Sequence, residues 1–224
     1  MPPVPFYLDL IFAILAVLSV TWIYYASRNN KILIISLLWL LLQSVLAGMG
    51  VYQNTSGTPP NVFFGVLPVI ISIVIYTLSR KGKEDMRTWN LKSLTYLHTI
   101  RIPVEIGLFF LYSFGAISIL QTFEGWNYDV LSGITAPLIG YFAFKKNVVN
   151  KKLLLAWNVV CLILLLTIVV VSILALPVSF QKIAFDQPNL AILFLPFNLL
   201  ASVIVPCVFL AHMAAFVKLS GSNS

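Results

Sequence analysis

Long apolar runs, interrupted by short polar breaks, carry almost the whole chain: they lie near 6–25, 32–52, 62–79, 94–118, 130–144, 153–176 and 190–217. A helix needs about 20 predominantly apolar residues to cross a bilayer. The pattern therefore predicts one all-α domain over 1–224, a bundle of seven transmembrane helices with everything between them as loop. Composition agrees: 60% of residues are hydrophobic, 9% are charged and the mean hydropathy is +0.97, whereas soluble domains carry roughly 25% charged residues.

Charge orients the bundle, because Lys and Arg collect in short cytoplasmic loops. Arg28 and Lys31 fall in the first connection, Arg80, Lys81, Lys83, Arg87 and Lys92 in the third, Lys145, Lys146, Lys151 and Lys152 in the fifth, and Lys218 in the tail. Of the 14 basic residues only Lys182 and Arg101 stand elsewhere. The expected topology is N-terminus outside and C-terminus cytoplasmic, in an inner or plasma membrane, multi-pass. The net charge of +7 is then a topology signal beside an anionic leaflet, and no nucleic-acid partner is expected. The first run has no basic residue before Arg28 and no small-x-small cleavage pattern after it, so it reads as helix one and not as a cleavable signal. Aromatic residues mark the expected membrane surfaces: Phe6, Tyr7, Tyr52, Trp126 and Tyr128 outside, Trp22, Tyr24, Tyr25, Trp89, Tyr96, Tyr141 and Trp157 inside.

Chemistry enters with the ionisable residues inside these runs, which are functional candidates because hydrocarbon penalises them. His98, Arg101 and Glu105 share one face of the fourth helix at spacings of three and four. Pro103 removes a backbone donor and frees the Thr99 carbonyl, so a kink is expected there. With that span centred near residue 106, Glu105 sits near the midplane, with Arg101 roughly 7 Å and His98 roughly 12 Å toward the cytoplasm. Asn158 on the sixth helix and His212 on the seventh reach a similar depth, so the five residues form a candidate binding or proton-linked polar cluster on helices four, six and seven. The plainer alternative is a strut in which Arg101 and Glu105 neutralise each other. Arg before Glu is the less favourable helical order, so helix stability alone does not explain the pair.

A second candidate is the outer turn Thr122-Phe123-Glu124-Gly125-Trp126-Asn127-Tyr128-Asp129. Glu124, Asn127 and Asp129 could collect a cation or protons there. The structural alternative makes Asp129 the cap of the fifth helix and Gly125 with Asn127 a turn. Gly133, Ala136, Pro137 and Gly140 then permit close helix packing. Cys161 and Cys207 read as small packing residues.

Several activities are excluded. A retinal Schiff base needs a mid-helix lysine, and Lys218 lies at the end. Zinc hydrolases need three histidines with an acid, and there are two histidines. No phosphate-cradling glycine loop or nucleophile motif is present. At Arg101-Ile102-Pro103-Val104-Glu105, and from Phe123 through Thr135-Ala136-Pro137, the chain resembles a group of bacterial seven-span integral membrane proteins without assigned activity. The resemblance implies the architecture and carries over no functional residue.

Three function classes stay open. In a small permease or proton-linked transporter, Glu105 titrates, Arg101 pairs with it or contacts an anion, and His98 and His212 gate the cytoplasmic side. No cofactor is needed there, the partners are lipid and a small solute or proton, and no catalytic residue or metal is assigned. A haem b protein would use His98 and His212 as axial ligands. A non-catalytic membrane assembly partner would carry the cluster for structure alone.

Overall fold

The computed structural model describes residues 1–144 and 149–221, and the expected cytoplasmic pair Lys145 and Lys146 lies outside them. The described residues are helical without strands. Helices α1 (Phe6–Ser27), α2 (Asn30–Gly48) and α3 (Val62–Leu78) are followed by the short polar α4 (Arg80–Thr88). Helices α5 (Leu91–Leu97) and α6 (Arg101–Ser113) form one span, joined by a 3-10 turn at His98–Ile100. Helices α7 (Val130–Ala143), α8 (Lys151–Leu174) and α9 (Val205–Ser220) complete the order, with a π turn at Leu200–Ile204 leading into α9.

Among the described residues five of these segments are individually long and apolar enough to cross a membrane, up to six if α3 and α4, bent by 86°, are counted as one span. Helix α7 has 14 residues, about 21 Å at 1.5 Å per residue, against a hydrocarbon core of about 30 Å. Close approach compensates in part: a Cβ on Gly133 would lie 2.9 Å from Ile102 Cγ1 and 3.3 Å from Arg101 Cβ, so the missing side chain lets α7 lie against α6. Helix α1 sits centrally, touching α2, α5, α6, the π turn and α9. Its buried face runs Leu8, Phe12, Leu15, Ala16, Ser19, Val20 and Ile23, at the three- and four-residue spacing of one helical stripe.

Four expectations need correction. The span expected over 94–118 ends at Ser113, because Gly115 turns the chain with φ +76° and the Gly115 and Ala116 amides close back on the Tyr112 and Leu111 carbonyls. The stretch after Leu78, read as loop, contains α4, whose first turn is capped by Ser79 Oγ accepting from the Gly82 amide at 3.0 Å. The last run opens with a 3-10 turn at Ala191–Leu193 and is continuously helical only from 198 onward, since Pro188 and Pro196 interrupt the segment before it. Tyr52 and Trp89, expected at the membrane surface, are buried. Tyr52 donates to Gln43 at 2.5 Å, and the Trp89 carbonyl accepts from Lys218.

Pro206 explains how α9 begins. It cannot donate to the Ser202 carbonyl one turn back, and a freed carbonyl inside hydrocarbon needs another donor. Trp39 of α2 supplies it, its indole N–H reaching Ser202 O at 2.8 Å. Trp39→Phe should therefore cost about 1–2 kcal/mol by stranding that carbonyl. Adding Pro206→Ala, which restores a local donor, should recover most of the loss in thermal unfolding of the detergent-solubilised protein. Equal stability of Trp39→Phe and the parent would refute the assignment.

Candidate functional site

The polar cluster is built around Arg101, which opens α6 just after the 3-10 turn. That turn exists because Pro103 cannot donate to Thr99, so the chain tightens there. The middle of the candidate span Leu91–Ser113 falls at Ile102, next to Arg101. Arg101 is 3% exposed, and a guanidinium at that depth requires acceptors.

Three elements provide them. Arg101 Nη1 donates to Asp129 Oδ1 at 2.6 Å, at the start of α7, and to the Cys161 carbonyl of α8 at 3.4 Å. Arg101 Nη2 meets His212 Nε2 of α9 at 2.8 Å. A guanidinium only donates, so His212 Nε2 is the acceptor and the proton sits on Nδ1. That Nδ1–H donates to Asn158 Oδ1 at 2.9 Å, while Asn158 Nδ2 donates to the Leu154 carbonyl. The tautomer is thus fixed from both sides. His98 stacks on His212, with ring centroids 4.2 Å apart, and meets the edge of Trp157 at 5.3 Å.

Glu105, one turn beyond Arg101, does not form the expected pair with it. Among the described residues the ion-pair partner of Arg101 is Asp129. Glu105 instead accepts from Asn127 Nδ2, which lies 2.7 Å from each carboxylate oxygen. Asn127 Nδ2 also donates to the Gln121 carbonyl, and its Oδ1 accepts from the Asp129 amide. The reading of Asp129 as a cap is corrected as well: it occupies the cap position of α7, but its side chain accepts no backbone amide there. Its Oδ1 receives Arg101 and the Ser132 hydroxyl. The outer turn and the intramembrane cluster are therefore one network.

His98, Arg101, Asp129, Asn158 and His212 meet directly, and Glu105 and Asn127 join as a branch. Glu124 remains exposed and outside it. Sequence reasoning missed Ser132, the Cys161 carbonyl and Trp157. Only Ser132 had a signal, its place three residues after Asp129. Two buried polar atoms of the cluster lack hydrogen-bond partners, Arg101 Nε and His98 Nδ1. The arrangement does not suit haem held between His98 and His212: both nitrogens of His212 are engaged, and stacked rings 4.2 Å apart leave no room for a macrocycle. Among the described residues no group of three or more His, Cys, Asp and Glu is placed to share a metal ion.

No family model matches the chain, and no curated protein or solved structure matches it either.

Removing one partner of a buried ion pair typically costs about 3–5 kcal/mol, because the other charge is left alone, whereas replacing both by apolar groups is often neutral. Arg101→Met and Asp129→Leu should each destabilise the protein by that order, and the double variant should recover most of the loss. Glu105→Leu should give less than half the coupling to Arg101→Met. Equal coupling energies in the two cycles, read from unfolding in detergent, would contradict the pairing.

Proposed function

We propose that the chain is a small proton-linked permease of an inner or plasma membrane. In this reading α1, α2, α3, α5 with α6, α7, α8 and α9 are seven crossings, N-terminus outside and C-terminus cytoplasmic. The short α7 is served by the outer loops and α4 by the cytoplasmic surface. The observation that carries the reading is a pair of buried carboxylates linked through Asn127, which donates to the Glu105 carboxylate and accepts from the Asp129 backbone amide. Asp129 is bound to a guanidinium, while Glu105, 2% exposed, has only an amide donor and no ion-pair partner among the described residues.

A buried carboxyl group without a counter-charge is suited to carrying a proton, since hydrocarbon disfavours the bare charge. Glu105 is the proton carrier in this scheme. Asn127 couples it to Asp129 through the outer turn, and Arg101 holds Asp129 and His212 together. His98 stands beside them on the cytoplasmic side. The interruptions at the 3-10 turn of α5–α6 and the π turn before α9 flank the cluster, as interrupted helices flank the sites of secondary transporters.

Proteoliposomes loaded with a pH-sensitive dye and energised by a potassium gradient with valinomycin test this. Pools of amino acids, sugars, organic acids and inorganic cations are offered in turn. At least one pool should evoke protein-dependent acidification, which Glu105→Gln should reduce at least tenfold and Glu124→Gln should leave intact. No response to any pool, or an undiminished response in Glu105→Gln, would overturn the reading and leave the cluster as a strut. A reporter fused after Ser224 should face the cytoplasm and one inserted between Tyr52 and Asn61 the exterior. Both on one side would remove the seven-crossing topology.

A further inference from the structure

Away from the polar cluster, a lateral cleft of about 1120 Å³ opens between α2 and α3, floored by Pro206, Cys207 and Leu210 of α9. We infer that this cleft is a binding site for one anionic phospholipid, its tail lying along α2 and its phosphate resting on Lys31 and Lys81.

The walls are apolar over most of their length, with Ile35, Leu38 and Leu42 on α2 facing Val69 and Ile73 on α3. Helix α2 buries only Gln43 and Ala47 of its own residues, so the cleft is open sideways, as entry from a bilayer requires. Its size exceeds the roughly 300–1,000 Å³ usual for small-molecule sites. Its length decides the orientation of the occupant. From Lys31 to Leu42 the helix rises about 16 Å at 1.5 Å per residue, close to half of a hydrocarbon core about 30 Å thick. The cleft therefore spans one leaflet, with one polar end.

That polar end carries a net positive charge. Asn29, Lys31, Lys81, Glu84 and Asp85 all line it. Asp85 Oδ2 already accepts from Asn29 Nδ2 at 2.9 Å, from the Tyr76 hydroxyl and from Trp89 Nε1. Glu84 is paired with Arg80 at 3.2 Å. The three donors to Asp85 are neutral and do not cancel its charge, but neither carboxylate forms an ion pair with Lys31 or Lys81 among the described residues, so the two lysines outweigh Asp85 at the mouth. Two lysines against the one carboxylate without an ion-pair partner leave a net positive mouth at the end of a leaflet-deep apolar slot, which matches a phosphate head on an acyl tail. The site is independent of the proton-linked reading, because none of its residues belongs to the polar cluster.

Native mass spectrometry of the purified full chain, delipidated in detergent and titrated with palmitoyl-oleoyl phosphatidylglycerol or phosphatidylcholine, tests the inference. One phosphatidylglycerol should be retained per chain, at least about tenfold tighter than phosphatidylcholine, since each lysine near an anionic head adds to attraction. Lys31→Ser with Lys81→Ser should reduce phosphatidylglycerol to the phosphatidylcholine level, and Lys83→Ser, outside the cleft, should not. Ser36→Trp, which fills the cleft, should weaken both lipids, and inorganic phosphate should not displace the lipid. Equal binding of the two lipids by the parent protein would overturn the site. So would several equivalent phosphatidylglycerol molecules, displacement by phosphate alone, or a dimer of the chain that excludes lipid.

Discussion

Everything in the second half of the bundle answers to one requirement, that a guanidinium at the middle of a membrane span be satisfied. Arg101 can donate five hydrogen bonds, and Glu105, the acid on its own helix, is bound to Asn127 and does not contact it. The start of α7 brings Asp129, α8 brings a backbone carbonyl and α9 brings His212. Displacing any of the three would leave a buried charge short of acceptors, at a cost that packing between apolar helices cannot match. The absence of a side chain at Gly133 follows from the same requirement: α7 must come close enough to α6 for Asp129 to reach.

The pairing also explains the order of the loop before α7. Asp129 is useful to Arg101 only if the turn before α7 is held, and Asn127 holds it by binding Glu105, the Gln121 carbonyl and the Asp129 amide together. Gln121 is fixed in turn through Ser118 and Ser172. The segment between α8 and α9 closes over this loop, with the Leu190 and Ala191 amides donating to Ala116 and Gln187 donating to Tyr112 and Ile117. A buried charge thus organises loop structure at the rim, through a chain of hydrogen bonds in which each amide has a defined partner.

The helices were legible because hydrocarbon imposes length and apolarity on sequence. Depth matching likewise brought His98, Arg101, Asn158 and His212 to one level, since rise per residue is fixed. What did not show was lateral choice among partners. Glu105 stands one turn from Arg101 and looked like its counter-charge, yet the long arginine stem reaches Asp129, 28 residues away, and His212, 111 residues away. A capping aspartate and an ion-pair aspartate have the same sequence signature, so Asp129 was read as the former. Helix α4 was hidden for a different reason: its residues are strongly polar, and apolar length finds only the helices that cross.

Helix α9 joins the two chemically distinct regions. Pro206, Cys207 and Leu210 floor the lateral cleft, while His212 is buried against Arg101, Asn158 and His98. Its entry is the least regular helical segment of the bundle, a π turn followed by a proline, and its freed carbonyl is held by Trp39 from the wall of the cleft. The tether at Ser202 therefore lies within the π turn itself, while His212 is fixed farther along α9 in the buried network. Movement of α2 against the start of α9 is opposed by that indole hydrogen bond and by the Asn198 side-chain amide, which donates to the Gln43 carbonyl at 3.3 Å. The network around Arg101 ties α9 to α6, α7 and α8 and has no member on α2, so the two sets of bonds restrain opposite sides of the same helix.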